Sequence, residues 1–138
     1  MKTGAEQNRK ETPEGARVLI LGASSNPDRY AWKAFEFLRA RGYRPVPVHP
    51  RLSEIEGIHV HPNLADPLIS EKGPIDTVTV YVNPATLEES VDGIIKLHPR
   101  RVIMNPGTES STARQRLEAA GINVREACTL VLLRTEQF

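Results

Sequence analysis

The chain has 138 residues, 39% of them apolar, and 18 Lys and Arg against 17 Asp and Glu leave a formal charge of +1. That size suits one globular domain with a modest core, and so even a charge leaves no footprint for nucleic acid or an anionic membrane surface, so any anion site must be local. The single cysteine, Cys128, excludes an internal disulfide and a cysteine-based zinc cluster, and an unpaired thiol fits a reducing, cytoplasmic compartment.

Residues 1–14 are polar, lack the apolar run of a secretory signal, and read as a disordered leader; 15–138 then form one folded domain. Arg17 to Leu21 is a short apolar run closed by Gly22, as expected of a strand buried on both faces of a parallel sheet. Ala31, Ala34, Phe35 and Leu38 fall at i, i+3, i+4 and i+7 and predict a helix that Gly42 stops. Arg44 to Val48 is a second strand, where Pro45 and Pro47 argue for a sheet edge or an irregular ladder instead of the sheet centre. Between Pro50 and Pro74 the pattern weakens, which predicts a loop with short turns instead of a full crossover helix.

Asp76 to Val82 is a third strand, rich in β-branched residues. Asn83-Pro84 supplies an N-cap and a first-turn proline for a helix with Leu87, Val91, Ile94 and Ile95 on one face. Arg101 to Met104 is a fourth strand, and Thr108 or Ser110 caps a helix with Ala113, Leu117 and Ala120 inward. Gly121 ends it, and Ile122 to Val124 is a fifth strand. Alternating elements with short joins imply an α/β fold: a Rossmann-like, doubly wound parallel sheet of about five strands with helices on both faces. No stretch approaches the ~18 consecutive apolar residues of a membrane span.

In open α/β sheets ligands bind outside the carboxyl ends of the strands. The first such end, Gly22-Ala23-Ser24-Ser25, is a small-residue turn that lets backbone N–H groups approach a pyrophosphate. It is not a complete G-x-G-x-x-G, because Ser24 and Pro27 stand at the second and third glycine positions. Alone it fits a phosphate cradle or an ordinary strand-to-helix turn equally well. Arg29, just beyond, reads by itself as a surface arginine at a helix start, and beside a phosphate it would add a charge-assisted contact. The second end is His49-Pro50-Arg51. A site for a free ribose 2′-hydroxyl would carry a carboxylate hereabouts, whereas Arg51 offers a guanidinium and points to a phosphorylated ribose.

Val18-Leu19-Ile20-Leu21-Gly22-Ala23-Ser24-Ser25-Asn26-Pro27-Asp28-Arg29, then Gly42-Tyr43 and Val46-Pro47-Val48-His49-Pro50-Arg51, resemble the small CoA-binding proteins. These are similar to the N-terminal CoA-binding domain of the succinyl-CoA synthetase α subunit. Ile55-x-Gly57, Leu64-Ala65-Asp66, Asp76-x-Val78 and Cys128 continue the resemblance. It implies that Gly22, Ala23, Ser24 and Ser25 wrap the CoA pyrophosphate and that Arg51, with His49 and Pro50, meets the ribose 3′-phosphate. By the same resemblance Val82, Asn83 and Pro84, and Met104, Asn105 and Pro106, line the rest. The chain departs from many relatives at Asn105-Pro106-Gly107, where Gln-x-Gly is commoner, and at Ala127, where many have Arg. The synthetase's phosphohistidine belongs to a second domain, so its ligase reaction does not carry over.

His49, His59, His61 and His98 lie in proline-flanked loops with no carboxylate at a spacing typical of zinc, so no metal is assigned; His59 and His61, on one face of a short strand, are the only pair with a case. Cys128 has no catalytic partner by spacing and reads as a packing or dimer contact. Ser24 and Ser25 lack the G-x-S-x-G setting of a hydrolase. The reading is therefore a CoA or acyl-CoA binding protein without chemistry of its own, with a second copy of the chain in a homodimer as its candidate protein partner, binding neither nucleic acid nor membrane. Its alternatives are an NADP-binding reductase and an accessory subunit of an acyl-CoA ligase.

Overall fold

The computed structural model describes residues 11–138; the first ten positions of the expected leader lie outside the described residues. Of the last four, Glu11 and Thr12 are hydrogen-bonded to the folded domain. The N–H groups of Glu11 and Thr12 donate to the Phe138 carbonyl at 2.7 and 3.0 Å, and buried Thr12 accepts from Arg101 Nη2 at 2.7 Å.

In chain order the elements are β1 (Arg17–Leu21), α1 (Tyr30–Ala40), β2 (Arg44–Val48), β3 (Glu54–Ile55), β4 (Ile58–His59), α2 (Pro67–Glu71), β5 (Thr77–Val80), α3 (Pro84–Leu97), β6 (Arg101–Met104), α4 (Ser111–Ala119), β7 (Asn123–Glu126) and α5 (Thr129–Arg134). Five parallel strands form one sheet in the order β2-β1-β5-β6-β7. The chain runs outward from β1 to β2 and then returns across β1 to β5, so strand order reverses between β1 and β5. β2 lies at the edge, where prolines cost no ladder bond on the open side. The return passes through the small β3–β4 hairpin and the five-residue α2, as the weak pattern between Pro50 and Pro74 implied.

Period-two alternation sorts each strand into two cores. Leu19, Leu21, Val78, Val80, Val102 and Met104 pack with Leu87, Val91 and Ile94 of α3 and Leu117 of α4. Val18, Ile20 and Ile103 pack with Phe35 and Leu38 of α1, Leu132 and Leu133 of α5, and Phe138. Phe35 is wholly buried, a burial worth roughly 1.5–3 kcal/mol. On this second face the alternation brings polar Thr77, Thr79 and Arg101 inside. Arg101 donates to Thr12 and, at 3.3 Å, to Thr77, and its guanidinium lies 4.5 Å over the Phe138 ring. Burial lowers its pKa to about 10, which leaves it cationic at neutral pH.

The third strand is shorter than expected, Thr77–Val80 instead of Asp76 to Val82, and two further expectations change. The last strand runs Asn123–Glu126, not Ile122 to Val124, because its polar residues face solvent at the sheet edge. The helix α5 has no counterpart in the sequence reading. Its run Thr-Leu-Val-Leu-Leu-Arg is too short and too uniformly apolar to show a period, yet it buries Leu130, Leu132 and Leu133. No helix among the described residues is long and apolar enough to cross a membrane.

Candidate ligand site at the carboxyl ends of the strands

The turn after β1 is built to be filled from outside only in part. Gly22 and Ala23 both donate their N–H groups to the Val48 carbonyl, at 3.2 and 3.1 Å, so these two amides hold the end of β2 and are not offered to a ligand. Gly22 has φ +89°, and a Cβ there would meet Val82 Cγ1 at 2.8 Å and the Tyr81 carbonyl oxygen at 2.9 Å. The glycine is therefore required by the close approach of β1 and β5, and not, as the motif suggests, by space for pyrophosphate alone. Beyond it, the Ser24 hydroxyl accepts from Asn26 N–H and the Asn26 side chain accepts from Asp28 N–H, each at 3.0 Å. The N–H groups of Ser24 and Ser25 have no partner among the described residues.

The loop then delivers α1 with Arg29 at its N-cap position and no side chain capping it. By contrast α2, α3 and α4 are capped by Asp66, Asn83 and Ser110. Uncapped first-turn N–H groups carry the positive end of the helix dipole. Exposed Arg29 has no ion-pair partner among the described residues.

After β2, the chain turns around His49. Its Nδ1 accepts from the N–H groups of Arg51 and Leu52 at 3.0 and 3.2 Å, which places the ring proton on Nε2. Burial first, and the Arg51 charge second, hold its pKa below the ordinary 6.5, so His49 is neutral at pH 7 and shapes the turn. Exposed Arg51 projects from that turn without an ion-pair partner among the described residues, and Pro50 is exposed beside it.

The later ends carry different work. Asn83 caps α3 by accepting from Thr86 N–H at 2.8 Å, Pro84 opens that helix, and Val82 packs at the β1–β5 approach. Met104 is 1% exposed, its carbonyl accepts from Ala127 N–H at 3.2 Å, and its side chain packs in the core that holds Leu87 and Val91 of α3 and Leu117 of α4. Asn105, 3% exposed, spends its amide inside the protein. Nδ2 donates to Thr79 Oγ1 and to the Val80 carbonyl, and Oδ1 accepts from Thr129 N–H, all at 2.8 Å. A Thr79–Thr129 hydroxyl contact of 2.7 Å closes the network.

This network floors a cleft of about 490 Å³ lined by Tyr30, Lys33 and Phe37 of α1, Tyr81, Asn105 and Pro106 at the strand ends, and Cys128, Leu130 and Arg134 around α5. Its wall is largely apolar and aromatic, with Lys33 and Arg134 at the rim. Cys128 thus faces the cleft at the start of α5 instead of being sealed in the core. Burial pushes the Tyr81 phenol up to about 12, so it remains a protonated hydrogen-bonding group at neutral pH. Sequence reasoning missed Tyr30, Lys33, Phe37, Tyr81, Leu130 and Arg134, because the first three sit on a helix flank that reads as solvent-facing and α5 was unseen. A broader depression of about 680 Å³ lies at the opposite, amino ends of the strands. There the Arg17 donors are spent on the Ile69 and Gly73 carbonyls and Arg100 is paired with Asp76, while Arg44 and Lys72 also line the depression.

A family model described as a CoA binding domain matches residues 16–134. A crystal structure 34% identical in sequence superposes with a TM-score of 0.80 over 91% of this chain and 100% of that one. The Bacillus subtilis (strain 168) protein YneT is 31% identical over 65 residues, 47% of this chain and 45% of YneT, so the match spans less than half of that relative's length. The dinucleotide-forming acetyl-coenzyme A synthetase 1 of Ca. Korarchaeum cryptofilum is 16% identical with a TM-score of 0.64, over 80% of this chain and 26% of the synthetase. That last likeness is one of fold alone.

Proposed function

Since the chain belongs to the CoA-binding domain family, we propose that it is a non-catalytic module that binds CoA or an acyl-CoA across the carboxyl ends of β1, β2, β5 and β6. The pyrophosphate rests on the free N–H groups of Ser24 and Ser25 and the uncapped start of α1, with Arg29 alongside. Arg51 meets the ribose 3′-phosphate, presented by the His49 turn. The pantetheine arm runs over the Val82-Asn83-Pro84 end and past Pro106, and the thiol or acyl end enters the aromatic cleft.

The observation that carries this reading is the pairing of uncommitted donors with an apolar cleft whose lining starts one residue along the chain from them, at Tyr30 after Arg29 and at Tyr81 before Val82, on the side where strand order reverses. A pyrophosphate needs the first and an acyl-pantetheine needs the second. The non-catalytic part rests on the chemistry of the groups present. His49 Nδ1 is occupied by two N–H donors, Tyr81 ionises only near 12, and Asn105 is consumed by structure, so none is poised as a general acid or base at neutral pH.

Two measurements test the proposal together. Mass spectrometry of small molecules released from natively purified protein should detect CoA or an acyl-CoA. Calorimetric titration of stripped protein should show CoA binding that NADP does not displace. Binding of NADP in preference to CoA would replace this reading with that of a reductase. Turnover of an acyl-CoA with a nucleoside triphosphate by the protein alone would overturn the non-catalytic part.

A further inference from the structure

The return path from β2 to β5 assembles a second cluster of chemistry-bearing side chains. His59 ends β4, His61 follows two residues later, and Asp66 caps α2. One ligand atom from each lies within 4.8 Å of the others, and His61 Nδ1 is 2.9 Å from Asp66 Oδ2.

Each of the three is anchored through its backbone or its own cap. His61 is clamped to the edge strand, its N–H donating to the Pro47 carbonyl at 2.9 Å and its carbonyl accepting from His49 N–H at 3.0 Å. His59 pairs with Glu54 in the β3–β4 hairpin. Asp66 accepts from Leu68 N–H with Oδ1 at 3.0 Å, which turns Oδ2 toward His61. The hydrogen bond to Asp66 alone accounts for the placement of buried His61. It does not account for His59, whose exposed ring stands edge-on at 90° and 4.9 Å from the His61 ring and has no hydrogen-bond partner among the described residues.

We propose that His59, His61 and Asp66 form a three-ligand site for a divalent transition-metal ion, with zinc the best fit. Two imidazoles and a carboxylate select borderline cations over Mg²⁺ and Ca²⁺, which favour oxygen donors throughout. Ligand bonds of about 2.0–2.2 Å at tetrahedral angles require donor atoms roughly 3.3 Å apart. The His61 Nδ1–Asp66 Oδ2 spacing of 2.9 Å is near that value, the metal displaces the proton shared between them to solvent, and exposed His59 reaches the ion by turning its ring. The fourth position faces solvent and takes water. No carboxylate stands beside the histidines in a recognised zinc spacing; the α2 cap supplies it through the fold.

Titration of the full chain with Zn²⁺, and separately with Co²⁺, tests the site. One equivalent should bind, and the Co²⁺ form should show the intense visible absorption of four-coordinate cobalt. His59→Ala touches an exposed side chain and leaves the fold intact, and it should weaken Zn²⁺ binding by at least about 10-fold. Asp66→Asn keeps the α2 cap while removing the anionic ligand, and it should weaken binding similarly. Unchanged Zn²⁺ affinity in a folded His59→Ala protein, or the weak spectrum of six-coordinate cobalt in the wild type, would overturn the site.

Discussion

Arg51→Ala tests how the proposed CoA ligand is held. Arg51 is exposed and makes no ion pair among the described residues, so its removal leaves no buried partner stranded and should change stability by no more than ~0.5 kcal/mol. The loss then falls on binding alone. A charge-assisted hydrogen bond is worth roughly 1.5–3 kcal/mol, and solvent exposure places this contact in the lower half of that range, near 2 kcal/mol. Wild-type protein should therefore prefer CoA to dephospho-CoA by about 30-fold at low salt, since 1.4 kcal/mol is tenfold. Calorimetric titration of both ligands against both proteins gives four affinities and isolates the Arg51–phosphate coupling as a cycle. In Arg51→Ala the preference should shrink to a few-fold, and raising the salt should compress the wild-type preference as well, because the Debye length falls to ~3 Å at 1 M. Equal wild-type affinities for CoA and dephospho-CoA, or a preference that survives Arg51→Ala, would refute the assignment.

Three further outcomes are expected. Asn105→Ala removes three buried hydrogen bonds of 2.8 Å and should lower stability by about 3 kcal/mol at ~1 kcal/mol each; denaturant unfolding that moves by less than ~1 kcal/mol would show the network to be slack. Gly22→Ala combines a left-handed φ with a clash against the Tyr81 carbonyl and should cost more than ~2 kcal/mol with no ligand present, so a ligand-free thermal melt equal to wild type would remove the packing argument. At Asp76, burial raises the carboxyl pKa, but hydrogen bonds from Arg100 and Thr77 and the nearby guanidinium charges outweigh it and hold it below the ordinary 3.8. A folded-state pKa below the unfolded one stabilises the protein above about pH 4 and loses that contribution as pH falls through it, so Asp76→Asn should flatten the acid limb of a stability–pH curve.

What the chain shows before folding is uneven, for physical reasons. The helical period of Ala31, Ala34, Phe35 and Leu38 and the Asn83-Pro84 start signal are local, and both elements sit where those signals put them. The prolines of β2 likewise fit its place at the edge. The cleft, in contrast, is a product of packing. Phe37 and Lys33 gain meaning only when α5 lies across from them, and four apolar residues in a six-residue run after Cys128 cannot announce a helix by themselves. Asn105 was readable as a loop residue at a strand end. Nothing in sequence shows that its amide is spent on Thr79 and Thr129 instead of on a ligand. The same holds for Asp66, whose proximity to His61 depends on the turn through Pro62 and the start of α2.

The bond from Thr129 N–H to Asn105 Oδ1 also bears on how the cleft can behave in time. A six-residue helix has no independent stability in water, and α5 survives because its first amide is tied to the end of β6 and its leucines to the sheet. These ties oppose a lid-like swing of α5 away from the sheet. Entry to the cleft must come by side-chain motion at its mouth, where Tyr30 is 68% exposed and Arg134 stands opposite on the last turn of α5. Rotamer changes of this kind take nanoseconds, not milliseconds, so the proposed ligand should associate in a single fast phase, and a slow phase in stopped-flow binding would refute this.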